Sequence, residues 1–504
     1  MAHATKNGRD DAEAVTPYSM HVSSKYLELT KKKLELTRLP RELDLPEQRR
    51  WDQGTPKAVL EPLLDYWLEQ YDWRKQESHF NSLPQFRTTI TLPSPTNPET
   101  SQSLRVHFVH KRSQHANAIP LLFCHTWPAS FIEVQKIIDA LTDPHSLPSF
   151  GAGALQAFHV VAPSIPGFGF SDASAMEDFG LKETAEVFDK VMQRLGYERY
   201  VAHGVGWGFS ICRALALNHS HHCVAVHTAN PMFRKPSFKW SPMAFLRYHI
   251  ARLTRAKVSL LSFGYVPMEL QAPAPTSGWD SSPTTQGSPY SDGPLGAALA
   301  RGYSHRPQTH AFALCDSPIG LLAGLLDAIH TRAPAISPVT SRSRSPFLSL
   351  EEQDSLHDRS FHEEIGSSHT ERPPQPLSPR DSEINARNYT WSPTEVLNWT
   401  MMQWLPGVEA AHRWLHRAHL DCSPLSDFSS TYCPVPLGIS SFRARNSHSP
   451  STPLMWGSAS WGIAWVRRHQ RPASTSPAWE APDLLVLDMR ECFGSIVNFP
   501  TQAT

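Results

Sequence analysis

Residues 119–219 alternate between strand-like and helix-like segments, and this alternation limits the possible folds more than any other feature of the chain. The run IPLLFCH (119–125) is continuously apolar, which suits a strand buried on both faces. The later segments are helical at 130–142, a strand with a Gly/Pro loop at 157–172, an amphipathic helix at 181–196, and a strand, tight turn and helix at 199–219. Repeated strand–helix units predict a mostly parallel sheet with right-handed crossovers.

The flanking segments add elements to both ends of this unit. Before it, the periodicity predicts an amphipathic helix over 22–40 that Pro40 ends, a second helix over 57–80, and an edge hairpin formed by 86–92 and 104–110. After it, 318–330 is helical, and 392–405 begins with Ser392 and Glu395 in the spacing of a capping box. Residues 434–442 and 484–496 are predicted to be the last strand and the last helix.

Composition limits the environment and the partners. Two Pro/Ser/Thr-rich segments, 272–294 and 333–388, are predicted to be flexible insertions. Lys+Arg and Asp+Glu balance at 47 each, so no overall field favours nucleic acid. The seven cysteines are scattered without metal-ligand or disulfide spacing, and no signal peptide or membrane-length apolar run is visible. We expect a cytoplasmic protein with no membrane anchor, no metal and no cofactor.

Several motifs occur in the order in which the microsomal epoxide hydrolase family has them. HTWPAS (125–130) is similar to the family's HGWPGS, and VAPSIPGFGFSD (161–172) resembles its second loop. Residues 38–86 and 302–324 resemble its N-terminal domain and its lid. The chain is therefore identified as resembling this family in its fungal form. The resemblance implies an α/β-hydrolase fold with a mostly parallel sheet, a helical lid and a family-specific N-terminal segment.

The resemblance also implies domain bounds. We expect a disordered tail at 1–15, the N-terminal domain at 16–95, the first part of the core at 96–230, the lid with both insertions at 231–420, and the last part of the core at 421–504.

In intact members of the family, an aspartate on a sharp strand-to-helix turn attacks an epoxide carbon and forms an ester. A histidine oriented by an acid then activates water to release a vicinal diol, while two lid tyrosines donate to the epoxide oxygen. The resemblance implies a small lipophilic epoxide as partner. Relatives often form dimers, and the sequence leaves a homodimer open.

The residues of this triad are not retained at the positions where the resemblance places them. The turn Gly204-Val205-Gly206-Trp207-Gly208 keeps the small residues of the family's GGDWG, but Gly206 stands at the nucleophile position and cannot form an ester. The base is expected near Ser474 or Thr475, and neither accepts a proton usefully at neutral pH.

The remaining positions give a mixed result. Arg445 stands near the acid position, where its charge would oppose an imidazolium. Tyr303 matches one lid tyrosine, whereas Trp414 or Leu415 stands at the second. His203, Ser210 and Cys212 lie near the nucleophile turn without occupying its position, and His469 precedes the base position. The expected pocket residues are His125, Trp127, Pro128, Phe168 and Trp207.

Three hypotheses follow. The chain is an epoxide hydrolase-like protein of fungal secondary-metabolite biosynthesis, or a catalytically inactive relative that binds a hydrophobic metabolite or partner, or a decayed or mis-spliced product. A Gly206→Asp variant alone is expected to stay inactive, because the ester could form without turning over. Rapid diol release by that variant would show that the base has been misplaced.

Overall fold

The structure is a computed structural model that describes residues 13–93, 101–145, 155–271, 306–332, 389, 391–423, 426–443, 452–473 and 475–497. Tyr303, Arg445 and Ser474 lie outside the described residues, as do both predicted insertions.

A nine-stranded sheet forms the centre of the described part. Its strands are β1 (Thr16–Pro17), β2 (Gln85–Pro93), β3 (Ser101–Lys111), β4 (Ile119–Cys124), β5 (Phe158–Pro163), β6 (Tyr200–Gly204), β7 (Cys223–Ala229), β8 (Cys433–Arg443) and β9 (Trp461–Pro472). Their order is β1-β2-β3-β5-β4-β6-β7-β8-β9. Pairing is antiparallel from β1 to β5 and parallel from β5 to β9. The α/β-hydrolase fold with a mostly parallel sheet is thus confirmed.

Helices cover both faces and build the segments around the sheet. They are α1 (Ser24–Glu35), α2 (Lys57–Glu69), α3 (Trp73–Phe80), α4 (Ile138–Thr142), α5 (Leu181–Arg194), α6 (Trp207–Asn218), α7 (Pro242–Leu253), α8 (Ser259–Ser262), α9 (Pro267–Gln271), α10 (Pro307–Leu314), α11 (Pro318–Arg332), α12 (Pro393–Trp404), α13 (Glu409–Asp421), α14 (Asp427–Ser430), α15 (Pro477–Glu480) and α16 (Pro482–Ile496). Short 3-10 turns occur at Glu47–Arg49, Phe131–Val134 and Leu454–Ala459.

The apolar run that predicted β4 is buried on both sides. Leu121 belongs to a core that includes residues of α16, whereas its neighbour Leu122 belongs to a second core that includes residues of α5 and α6. Successive side chains of a strand point to opposite faces, so a strand covered on both sides must be apolar throughout.

The N-terminal helices differ from their predicted bounds. The first ends at Glu35 rather than at Pro40, and the predicted helix 57–80 is two helices. Asp72 starts the second of these by accepting hydrogen bonds from the backbone N–H groups of Arg74 and Lys75, at 2.8 and 3.3 Å. In a continuous helix these backbone N–H groups would donate to carbonyl groups of the preceding turn. The Asp72 side chain accepts from them instead, so a new helix can begin here.

Two further predictions need correction. The predicted tail 1–15 reaches too far, because Glu13 forms a 2.9 Å ion pair with Arg194 on α5. The prediction that 434–442 is the last strand is wrong, because β9 follows it and pairs with β8. Most residues of β9 are only partly buried, so the strand lacks the apolar run that marks the central strands.

The capping box at Ser392 is confirmed. Ser392 Oγ accepts from the backbone N–H of Glu395, at 3.2 Å, and the Glu395 carboxylate accepts from the backbone N–H of Ser392, at 2.9 Å.

Among the described helices, no single one has the length and hydropathy of a membrane span. The pair Pro307–Leu314 and Pro318–Ile329 reaches that length and composition only together, across a bend of 116°.

Candidate active site

The loops that follow the parallel strands meet at one edge of the sheet. Ile165, after β5, donates its backbone N–H to His125 Nε2 after β4, at 3.1 Å. Asn230, after β7, donates its side-chain amide to the carbonyl of Ala473 after β9, at 2.7 Å. In open parallel sheets ligands bind at the carboxyl ends of the strands, so this edge is the candidate site.

The turn between β6 and α6 has the geometry of a nucleophile elbow. Gly206 has φ 52° and ψ −121°, a conformation that a residue with a Cβ adopts only under strain. A Cβ on Gly204 would lie 2.4 Å from the backbone carbon of Gly208. A Cβ on Gly208 would lie 2.1 Å from the carbonyl oxygen of Cys124. The two flanking glycines are therefore required by close backbone contacts, and the turn persists although Gly206 has no nucleophilic side chain.

A Gly208→Ala substitution tests this packing. The added methyl group meets backbone, which cannot rotate away, so we expect a loss of about 3 kcal/mol of unfolding free energy in urea titrations. The control is Gly494→Ala on α16, where the nearest atom to an added Cβ is Gln156 Cβ at 4.0 Å. Equal stability of the two variants would contradict the elbow geometry.

The backbone N–H after the nucleophile position already has an acceptor. Trp207 N–H donates to Thr126 Oγ1 at 3.0 Å, and the Thr126 hydroxyl has a longer contact with the carbonyl oxygen of Trp127, at 3.4 Å. In α/β-hydrolases this N–H is a donor of the oxyanion hole. Thr126 stands where the resemblance predicts glycine. Its hydroxyl oxygen accepts the hydrogen bond of the Trp207 N–H, which the ester hydrolysis of the family would need as an oxyanion-hole donor.

The same loop is held by a buried carboxylate. Glu133, only 1% exposed, accepts from the backbone N–H of Thr126 at 3.3 Å and from the hydroxyl of Ser476 at 3.0 Å. It thereby links the loop after β4 to the loop after β9, where the base is expected. Glu133 could not be singled out from the sequence, because an acid within a helix-like segment carries no signal of this bridge.

The expected base position holds no titratable group in the described residues. Thr475, the alternative to Ser474, is buried, and its backbone N–H donates to Glu480 Oε2 at 3.3 Å. Its hydroxyl has no hydrogen-bond partner among the described residues. A threonine hydroxyl does not accept a proton at neutral pH, so Thr475 cannot replace a histidine there.

His469, the nearest histidine to the base position, is held in a structural pair. Its Nε2 lies 2.6 Å from Asp488 Oδ2, and its ring stacks on Phe442 with centroids 4.8 Å apart. The partner Asp488 is fully buried on α16, so this pair joins β9 to α16.

His203 belongs to a buried polar chain below the elbow. Its Nδ1 lies 3.0 Å from His227 Nδ1, and His227 Nε2 lies 3.0 Å from Ser440 Oγ. Because the Ser440 hydroxyl donates to Asp488, His227 Nε2 must donate to Ser440, and His227 Nδ1 accepts from His203. Burial lowers the pKa of His203 to about 3 and that of His227 well below its ordinary value, so both imidazoles are neutral at physiological pH.

Ser210 and Cys212 lie on α6, as predicted, and both are buried. Burial raises the pKa of the Cys212 thiol well above its ordinary value, which removes the reactive thiolate. Neither residue occupies the position from which a nucleophile would attack.

Of the predicted pocket residues, two line a cavity in the described part of the chain, and the other three pack outside it. Trp127 and Pro128 line a narrow cavity together with Leu314, Leu321, Gly324, Leu325, Gln403 and His412. His125 lies behind the loop, with Nδ1–H donating to the carbonyl of Thr126 at 3.0 Å, and burial lowers its pKa to about 4. Phe168 and Trp207 pack edge-on against Trp414, with centroids 5.6 and 6.2 Å apart.

Trp414 stands at the expected place of the second lid tyrosine. Its indole N–H donates to Thr184 Oγ1 at 2.8 Å, and the side chain is buried. It therefore fills space beside the elbow without presenting a hydroxyl donor.

The described walls leave a cavity of about 10 Å³, enough for roughly one water molecule. The walls are mostly apolar, and Gln403 is fixed by donating its side-chain amide to the carbonyl of Pro128 at 2.9 Å. His412 is the titratable residue of this lining, and burial lowers its pKa to about 4. Neither Gln403 nor His412 could be predicted from the sequence as a cavity residue, because nothing in helical spacing distinguishes them from core positions.

Comparisons with known proteins agree with the fold and the motifs. Residues 15–134 match the family described as epoxide hydrolase N terminus, and residues 119–277 match the alpha/beta hydrolase fold family. The structure of the Aspergillus niger epoxide hydrolase superposes with a TM-score of 0.61 at 22% identity, covering 96% of this chain and 97% of that chain.

Sequence relatives include a Stigmatella aurantiaca (strain DW4/3-1) protein with epoxide hydrolase in its name, 40% identical over 202 residues, which are 40% of this chain and 42% of that protein. Epoxide hydrolase 1 of Oryctolagus cuniculus is 30% identical over 327 residues, 63% of each chain. Epoxide hydrolase 1 of Sus scrofa is 25% identical over 491 residues, 96% of this chain and 89% of that protein. The first two alignments span less than two thirds of the relatives' lengths.

Proposed function

The chain belongs to the epoxide hydrolase family, and we propose that it binds a lipophilic epoxide or the related diol without forming the ester through which the family's reaction passes. Such a protein would hold or carry a lipophilic metabolite, and an epoxide of fungal secondary metabolism is the ligand class that we propose.

The observation that carries this proposal is the elbow. The turn is built as in a working enzyme, yet Gly206 supplies no carboxylate and Thr126 occupies the adjacent N–H donor at 3.0 Å. Loss of a nucleophile alone lowers turnover by several orders of magnitude. The occupied N–H donor would also slow the hydrolysis of any ester that a surrogate carboxylate formed, because the tetrahedral intermediate of that step would lack this hydrogen bond.

The binding part of the proposal rests on the retained walls. Trp127, Pro128 and Leu325 supply apolar surface at the edge where the strand-end loops meet, and Gln403 is a fixed polar group beside them. Apolar walls with a few oriented polar groups are typical of small-molecule sites. The small volume of the described cavity means that a ligand must open it by moving α11 or α12.

Thermal unfolding with and without trans-stilbene oxide or its diol tests the proposal. A ligand at about 100 times its Kd stabilises the native state by about 2.7 kcal/mol, so a clear rise in Tm is expected for the parent chain. Gly324→Leu places a side chain in the cavity and is expected to abolish the rise.

The matched control is Gly494→Leu, which adds the same side chain at an exposed position of α16. It is expected to keep the ligand-induced rise in Tm. A parent chain that unfolds cooperatively without any rise would refute the binding proposal. A parent chain without cooperative unfolding would instead favour a decayed product.

A further inference from the structure

A cluster of two histidines and one carboxylate lies at the end of the sheet opposite the elbow. Asp189 is on α5, His219 directly follows α6, and His222 precedes β7. We propose that these three side chains bind a divalent transition metal, with Zn²⁺ as the reference ion. This inference goes beyond the proposed function and does not depend on it, and it revises the expectation of no metal.

The ligand atoms are already near coordination geometry. His222 Nδ1 lies 2.9 and 3.0 Å from the two oxygens of Asp189, and His219 Nδ1 lies 3.5 Å from Asp189 Oδ2. One ligand atom from each of the three residues lies within 4.8 Å of the others. Ligands about 2.0–2.2 Å from a tetrahedral Zn²⁺ are about 3.3 Å apart, so a metal would need only small adjustments.

A hydrogen bond and an ion-pair contact from neighbouring side chains orient two of the three ligands. The hydroxyl of Tyr200 donates to Asp189 Oδ1 at 2.8 Å. His219 Nε2 lies 3.3 Å from Glu186 Oε2, on the side of the ring away from Asp189. A metal-bound imidazole usually donates its other N–H to a carboxylate or carbonyl, and the Asp189–His219–Glu186 arrangement provides this partner.

The two nitrogens of His219 argue for a metal over a simple ion pair. Both face carboxylate oxygens, yet a neutral imidazole has a single N–H, so one nitrogen lone pair would point at an anion. A metal at Nδ1 removes this conflict and leaves Nε2–H to donate to Glu186. Protonation of the ring is the competing solution, and it predicts no metal dependence.

The donor set selects the class of ion. Two imidazoles and one carboxylate suit Zn²⁺, Ni²⁺, Cu²⁺ or Fe²⁺, whereas Mg²⁺ and Ca²⁺ prefer oxygen ligands throughout. Asp189 is 5% exposed, while the side chains of His219 and His222 are 14% and 26% exposed. An ion therefore has access from solvent, and water can fill the fourth position. Because α5, α6 and β7 all contribute, the bound metal would stabilise the packing of these elements.

Zn²⁺ titration of the chelator-treated full chain, in competition with a chromophoric chelator, tests the proposal. We expect one Zn²⁺ per chain and a rise in Tm on binding. His222→Ala should weaken the affinity at least 100-fold, and Glu186→Gln, a partly exposed position, should weaken it about 10-fold without unfolding the chain. Co²⁺ in place of Zn²⁺ should give the intense visible absorption of a tetrahedral site.

The matched control is His115→Ala, which removes another His–carboxylate pair, His115 Nε2 to Asp143 Oδ1 at 3.5 Å. The chain contains 26 histidines, so this control separates the cluster from scattered binding. An affinity unchanged in both His222→Ala and Glu186→Gln, or no Zn²⁺ binding by the parent at micromolar concentration, would overturn the proposal.

Discussion

Replacing Gly206 by Asp and Thr126 by Gly together is expected to produce a chain that an aryl epoxide alkylates once and that then stops. The new carboxylate supplies the attacking oxygen, and removal of the Thr126 hydroxyl frees the Trp207 N–H that now donates to it at 3.0 Å. The ester should accumulate, because the described loop after β9 provides Thr475 and no histidine to activate water.

Intact-protein mass spectrometry over time, with peptide mapping of the elbow, measures this result. Gly206→Asp alone should be alkylated about 100-fold more slowly, because the Trp207 N–H stays on Thr126 Oγ1 and cannot orient the new carboxylate, and a nucleophile misplaced by about 1 Å costs about 10²-fold. Thr126→Gly alone should gain no mass and serves as the control. Equal rates for the single and double variants would show that Thr126 does not block the donor, and rapid diol release would show a base elsewhere.

Acidification from pH 7.5 to pH 5 is expected to remove most of the stability of the fold. Four fully buried histidines carry this effect. Burial lowers the pKa of His107 and His203 to about 3 and that of His125 to about 4, and it lowers the pKa of His227 well below its ordinary value. Each stays neutral in the folded chain and gains a proton on unfolding below about pH 6.5.

The direction of the pH effect follows from proton binding. Between the folded pKa and about pH 6.5, the unfolded chain binds more protons than the folded chain, so stability falls as the pH falls. His107, His125 and His203 each remove about 1.4 kcal/mol per pH unit in this window, or about 2 kcal/mol at pH 5. These three groups together remove about 6 kcal/mol, which is comparable to the 5–15 kcal/mol of a typical domain. His227 acts in the same direction.

Calorimetric unfolding at pH 5.5 in two buffers of different ionisation enthalpy measures the proton uptake directly. We expect uptake of about three protons per chain from His107, His125 and His203, to which any uptake by His227 adds. Uptake below one proton, or a stability that rises on acidification, would contradict the buried neutral state of the histidines.

The sheet was predictable where burial imposes a pattern. The run at 119–125 and the glycine turn at 204–208 follow from a strand covered on both faces and from backbones in contact at Gly208 and Cys124. Strand β9 was not predictable in this way, since its partly buried residues show no continuous apolar run. The break at Asp72 was missed because helical periodicity continues across it on both sides.

The position of the candidate site could be predicted from the sequence, but the hydrogen bonds between its residues could not. The loss of the carboxylate at Gly206 is visible in the motif itself. The hydrogen bond from Trp207 to Thr126 joins residues 81 positions apart, and the Glu133–Ser476 bond joins residues 343 positions apart. Only the folded sheet edge brings such pairs together. The cluster of Asp189, His219 and His222 was missed for the same reason.

Diol formation by the parent chain measures whether the retained site still opens epoxides. The purified chain is incubated with a panel of aryl and alkyl epoxides, while diol release and intact mass are followed beside a buffer blank and a Tyr303→Phe variant. The absence of a nucleophile at Gly206 predicts no mass adduct and no diol above the blank for either protein. Diol release by the parent that disappears in Tyr303→Phe would contradict this account, because it would show that the retained site still opens epoxides.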